Sequence, residues 1–298
     1  MEKKLKSWQG WLLFGGSMVI VFVLGLCVSA LMERRAELAS VFNNRRTVIE
    51  GIEARNEVFK DDFPREYQTW TETAKTDFRT EFNGNIAVDV LEQRPEMVIL
   101  WAGYAFSKDY STPRGHMHAI EDVTMTLRTG SPVTATDGPQ PSTCWTCKSP
   151  DVPRMMEAIG VDAFYNNKWG AFGEEIVNPI GCADCHEPKN MNLHISRPAL
   201  IEAFERQGKD ITKATPQEMR SLVCAQCHVE YYFKGDGKYL TFPWDKGFNI
   251  EDMEAYYDES GYCDYIHQLS RTPILKAQHP GKVFINSRLK VIVTIFIN

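Results

Sequence analysis

Cys144-Trp145-Thr146-Cys147-Lys148, Cys182-Ala183-Asp184-Cys185-His186 and Cys224-Ala225-Gln226-Cys227-His228 repeat one pattern across the middle of the chain. Two cysteines separated by two residues and followed at once by histidine form the attachment sequence for a c-type haem. The spacing follows from the chemistry: two thiols add across the vinyl groups on one porphyrin edge, and the adjacent imidazole then reaches the iron as an axial ligand. Lys148 stands where histidine stands in the other two motifs, and its position makes it the corresponding iron ligand. Zinc is the main rival for paired cysteines. It would use two of the pairs, leave the third idle and need no basic residue after each. Disulfides between cysteines three apart are tight, usually redox-active rings, and three in succession would be unusual. Three covalent haems is the reading that uses every motif.

Lys148 sets its haem apart. An amine binds iron only when unprotonated, and free lysine titrates near about 10.4. Metal coordination and burial supply the required depression. A ligand that costs this much is out of place in a simple relay. It points to a haem that does chemistry, with its far face open to substrate.

Moving outward, the 298 residues suffice for one large or two modest domains with a real core. A formal net charge of −6 argues against a nucleic-acid surface, and no nucleic-acid partner is expected. Haem faces bury large apolar areas, so we expect a mainly α chain with long ordered loops and little β-structure, a multihaem cytochrome c fold. Residues 1–32 begin with the basic Met1-Glu2-Lys3-Lys4-Leu5-Lys6 and continue into a long apolar run. They read as a signal peptide or a retained membrane anchor. Val28-Ser29-Ala30 offers a cleavage site, the length of the run favours an anchor, and a lipid at Cys27 is disfavoured by Leu26. Either way the bulk of the chain is exported, with the periplasm as its expected compartment.

Residues 33 to about 98 are charged and mostly helical in pattern. Phe63-Pro64-Arg65-Glu66-Tyr67-Gln68-Thr69-Trp70 reads as a surface-hugging helix or loop with aromatic anchors. A haem closed by two protein ligands needs a second histidine, and His116 and His118 are the local candidates; spacing does not choose between them. Arg128, before Thr129-Gly130, reads equally as the end of a helix. His194 reads as a structural histidine. After the third motif, Glu230-Tyr231 offers a carboxylate beside aromatics, and Lys276-Ala277-Gln278-His279 supplies another oxygen donor and another histidine. Hard cations take such oxygens.

Trp101-Ala-Gly-Tyr-Ala-Phe106, Pro-Arg-Gly-His116, Thr-Leu-Arg128-Thr-Gly, Cys-Trp-Thr-Cys-Lys148, Gly-Cys-Ala-Asp-Cys-His186, Cys-Ala-Gln-Cys-His-Val-Glu-Tyr-Tyr-Phe233 and Thr-Pro-Ile-Leu-Lys-Ala-Gln-His279 together closely resemble the ammonia-forming cytochrome c nitrite reductases, from about residue 60 to 280. Members of that family are periplasmic pentahaem homodimers that reduce nitrite to ammonium with six electrons. A quinol-oxidising membrane cytochrome or a soluble multihaem donor supplies them. The resemblance implies that Lys148 is the proximal ligand of a catalytic haem on Cys144 and Cys147. Arg128, Tyr231 and His279 would form its distal pocket. It makes His186 and His228 proximal ligands of relay haems on Cys182 and Cys185 and on Cys224 and Cys227. His116 becomes the distal ligand opposite His228. Glu230, the Tyr231 and Lys276 carbonyls and Gln278 correspond to calcium ligands.

The chain departs from the family after the Gln-His-Pro run. Residues 281–298 are apolar and strand-like and contain no further haem motif, whereas the family has two more and long C-terminal helices at its dimer interface. We therefore expect residues 33–280 to be an incomplete haem domain and 281–298 an atypical tail from a frameshift or misprediction. The alternatives are an electron-transfer protein whose haems are all closed by two ligands, a related octahaem enzyme, and an inactive fragment.

Overall fold

The structure is a computed structural model and describes residues 7–43, 49–80, 83–138, 140–261, 263, 265–274, 282–285 and 292–295. Two compact units are distinguished. One holds the N-terminal helix with residues 61–63, and the other holds residues 49–60 and everything from 64 onward.

The first helix, α1 (Ser7–Asn43), runs without a break through the apolar segment and past Met32 into the charged Glu33-Arg34-Arg35. Its large apolar side chains, from Trp8 to Met32, lie exposed around the whole circumference. A surface helix would confine them to one stripe. This segment is long enough to cross a bilayer core of about 30 Å.

The second unit is mainly α with long ordered loops, as the haem motifs lead one to expect. Between residues 49 and 98 the helical expectation holds only in pieces: a 3-10 turn at Asn56–Phe59, α2 (Pro64–Thr71), another turn at Glu72–Ala74 and two four-residue helices, Val90–Gln93 and Met97–Leu100. Charged residues give this stretch helical composition, but no apolar face long enough to stabilise a continuous helix. Farther on come α3 (Ala119–Met125), α4 (Asp151–Ile159), α5 (Val161–Tyr165), α6 (Cys182–Cys185), α7 (Pro198–Arg206), α8 (Pro216–Ala225) and α9 (Ile250–Ser260). Pro198 and Pro216 open α7 and α8, where the missing N–H costs nothing. In α8 a capping box joins Thr215 and Glu218, each satisfying the other's backbone N–H.

Strands are few and short. Tyr232–Lys234 pairs antiparallel with Tyr239–Thr241 just after the third motif. The strand-like tail does form a β-pair, Lys282–Ile285 against Ile292–Ile295. The core is a cluster in which Trp145, Phe164, Trp169, Leu200, Phe204 and Trp244 are among the residues with almost no exposure. Trp145 lies inside the first haem motif, so the motif is part of the core.

Candidate haem centres and anion pocket

The three motifs, far apart in sequence, converge on one residue. Arg197, 1% exposed, donates from Nε to the Thr146 carbonyl at 2.7 Å and from Nη2 to the Ser149 carbonyl at 2.8 Å. Its Nη2 also meets the Asp184 carboxylate at 2.5 Å. Gln226 completes the junction: its Oε1 accepts from the Ser196 and Arg197 N–H groups, and its Nε2 donates to the Asp184 carbonyl at 2.7 Å. Thr146, Asp184 and Gln226 are the inner residues of the first, second and third motifs. Burial opposes the Arg197 charge, and Asp184 opposite more than restores it, so the guanidinium stays charged. The thiols of Cys147 and Cys227, from the first and third motifs, are near enough to act on each other: Cys147 is drawn down to about 7 and Cys227 is pushed up.

The second motif is held from three sides. Asn56 Oδ1 accepts the Cys182 N–H at 2.8 Å, and Trp70 Nε1 on α2 donates to the Ile180 carbonyl at 2.8 Å. The buried Asp151 carboxylate accepts from the backbone N–H groups of Val177 and Asn178 at 3.0 and 2.9 Å. Asn56 presses so closely on Gly181 that a Cβ there would collide with its amide. His186 Nδ1 lies 2.8 Å from the Met191 carbonyl. A carbonyl only accepts, so Nδ1 carries the proton and Nε2 presents its lone pair, the arrangement that orients a metal-binding histidine.

His116 and His118 are now distinguishable. His118 is engaged through both nitrogens, with Glu121 at 3.1 Å and the Ala74 carbonyl at 2.9 Å. His116 instead faces His228, with ring centres 6.2 Å apart. Two metal–nitrogen bonds of about 2 Å, plus roughly 1.1 Å from each nitrogen to its ring centre, give the same span. The pair therefore fits an iron between its rings. Burial lowers both imidazoles, His228 to about 4, so each offers a neutral lone pair at neutral pH. Lys148 is close enough to contribute to both shifts. His194 is structural, within 3.5 Å of the Ala183 carbonyl through Nε2.

The Tyr231 phenol is within electrostatic reach of Arg128 and of both cysteines of the first motif. Burial pushes the Tyr231 phenol well above the ordinary tyrosine range, Cys147 and Cys144 add to the rise, and Arg128 draws it back. The motif is fixed relative to Arg128 by two stacked indoles: Trp145 and Trp169 lie 3.5 Å apart and nearly parallel. Trp169 Nε1 donates to the Gly130 carbonyl at 3.0 Å, two residues beyond Arg128. A cavity of about 360 Å³ opens here, with Tyr104, Lys108, Arg128 and Gln140 in its wall. Among the described residues no carboxylate pairs with Arg128, which forms part of the cavity wall. Glu230 is buried beside Tyr231. His279, Lys276 and Gln278 lie outside the described residues.

Sequence reasoning had passed over Asn56, Arg197 and Gln226 as site residues and had read Trp70 only as an aromatic anchor. The only hint was the polar character of Thr146, Asp184 and Gln226 at positions wedged between haem cysteines.

A mainly α core wrapped around haem-attachment motifs, with two histidine rings set across an iron-sized gap, defines a multihaem cytochrome of the c type. Residues 55–287 match the model of the cytochrome c552 family, and the chain belongs to that family. It is 88% identical to the cytochrome c-552 of Bacteroides thetaiotaomicron over 280 residues, which cover 94% of this chain and 57% of that protein. The Porphyromonas gingivalis cytochrome c-552 is 69% identical over 94% of this chain and 56% of its own length. The chain thus spans somewhat over half the length of these relatives. Among solved structures it resembles the catalytic subunit of the cytochrome c nitrite reductase from Desulfovibrio desulfuricans, a protein described as having two calcium sites. That match has a TM-score of 0.71 and 33% identity, covering 78% of this chain and 55% of the other.

Proposed function

We propose that the chain carries the catalytic part of a nitrite reductase that forms ammonium in the periplasm, with six electrons passed through covalent haems. The observation that carries this reading is that the buried Tyr231 phenol feels both Arg128 and the cysteines of the one motif in which lysine replaces histidine. The haem that Cys144 and Cys147 would hold would supply the iron for nitrite and the electrons for its reduction. Lys148 would hold that iron from the near side. Arg128 offers a fixed positive charge to the nitrite anion. The Tyr231 phenol, kept protonated by burial, is an O–H donor to the oxygens that leave as water. His279 would be a second such donor.

His186 would ligate the iron of the haem on Cys182 and Cys185, and His116 and His228 the iron of the haem on Cys224 and Cys227. The adjacency of Cys147 and Cys227 supports direct exchange between the first and third haems. Glu230 with the Tyr231 and Lys276 carbonyls and the Gln278 amide is an all-oxygen set suited to calcium, whose charge would steady the pocket. A quinol-oxidising membrane cytochrome or a soluble multihaem protein would donate electrons, and the family's homodimer is the assembly we assign. We further read α1 as a retained anchor ahead of the haem domain, because the helix passes through Val28-Ser29-Ala30 without a break.

The test is ammonium produced from nitrite by the haem-loaded protein under a chemical reductant. We expect ammonium as the product and a loss of about 100-fold in Arg128→Ala. A protein that carries haem on Cys144 and Cys147 yet makes no ammonium refutes the reading.

A further inference from the structure

We propose that Phe106 is the positioning residue of Arg128, holding the guanidinium by its π face so that the charge stays available to an anion. The proposal rests on the assignment of Arg128 as the nitrite-binding cation. The Arg128 guanidinium carbon lies 4.8 Å from the centre of the Phe106 ring. Among the described residues no carboxylate takes its charge. An ion pair would hold the side chain equally well, but it would occupy the donors and neutralise the charge that nitrite needs. A ring face attracts the cation through its quadrupole and leaves the N–H edges uncommitted.

Phe106 is itself fixed. It stacks on Tyr110 at 4.8 Å and 19°, meets Tyr104 edge-on at 4.9 Å and 88°, and contacts Trp101 at 5.4 Å and 75°. Its segment also grips the backbone beside Arg128: the Asp109 carboxylate accepts the Leu127 N–H at 2.6 Å. Asp109, the acid of this loop, is thereby spent on the main chain. On the far side Thr129 is buried, with its hydroxyl bonded to Thr126. Arg128 is left with one restrained direction, across the ring and into the cavity shared with Tyr104 and Gln140.

The experiment replaces Phe106 in the haem-loaded full chain with phenylalanines carrying one, two and three ring fluorines. These analogues keep the shape and progressively flatten the quadrupole. Nitrite affinity is read from the optical change of the oxidised protein, and carbon monoxide binding to the reduced protein serves as the uncharged comparison. We expect nitrite affinity to fall stepwise, within a total of about 2- to 30-fold, while carbon monoxide affinity and haem content stay constant. Phe106→Leu, if it folds with full haem content, falls at the weak end, and Phe106→Tyr stays near the parent. A flat nitrite series overturns the proposal. If the series is flat while Arg128→Ala weakens nitrite, the anion site survives and Phe106 is packing only. If Arg128→Ala is also without effect, the assignment of Arg128 fails and the positioning role fails with it.

Discussion

Arg197 is the residue on which the arrangement depends most. Removing a buried charge's partner leaves the other charge without compensation, at a cost of about 3–5 kcal/mol. Arg197→Met strands Asp184 in this way, and urea unfolding followed by haem absorbance is expected to show a loss of that size. The double variant Arg197→Met with Asp184→Leu is expected to recover most of it, because no charge is then left stranded. Gly181 gives a second residue-scale outcome. Gly181→Ala drives a methyl into the Asn56 amide and should lower haem occupancy at Cys182 and Cys185, counted by peptide mass. Adding Asn56→Ala clears the space and should restore part of that occupancy. The cysteines, Lys148 and the histidines after each motif were legible in sequence because covalent chemistry fixes their spacing. Arg197 and Asn56 were not, because hydrogen bonds to residues 51 and 126 positions away leave no local pattern.

At the scale of elements, α8 presents Cys224 near its C-terminus and is set by its first turn. Thr215→Ala removes the cap and is expected to cost about 1 kcal/mol. Glu218→Ala should add less than its own single effect, since each member of the box serves the other; the two are compared by urea midpoints. Helices bounded by Pro198 and Pro216 could be read from sequence, since proline marks a helix start through its own geometry. The stretch from 49 to 98 could not be divided correctly. Its short helices exist because Trp70 and Asn56 attach them to the second motif, a tertiary cause that helix propensity does not register. The difference between His116 and His118 comes from the same kind of contact, His118 being held by Ala74 and Glu121.

For the whole molecule, the exposed apolar girth of α1 sets an expected outcome: the protein stays with membranes after an alkaline carbonate wash, and a variant beginning at Ile49 is released. Recovery of the parent protein in the wash, with a new N-terminus near Ala30, would sink the anchor reading. The convergence of all three motifs on Arg197, through its guanidinium and its main chain, also bears on how the protein is made. Bonding a haem at any one motif fixes Thr146, Asp184 or Gln226 and so helps to close the loops that carry the other two, raising the effective concentration of their thiols around the next porphyrin. Ring attachment is then cooperative in time as well as in space. Protein sampled during maturation should consist of bare chains and fully loaded ones, with few caught between.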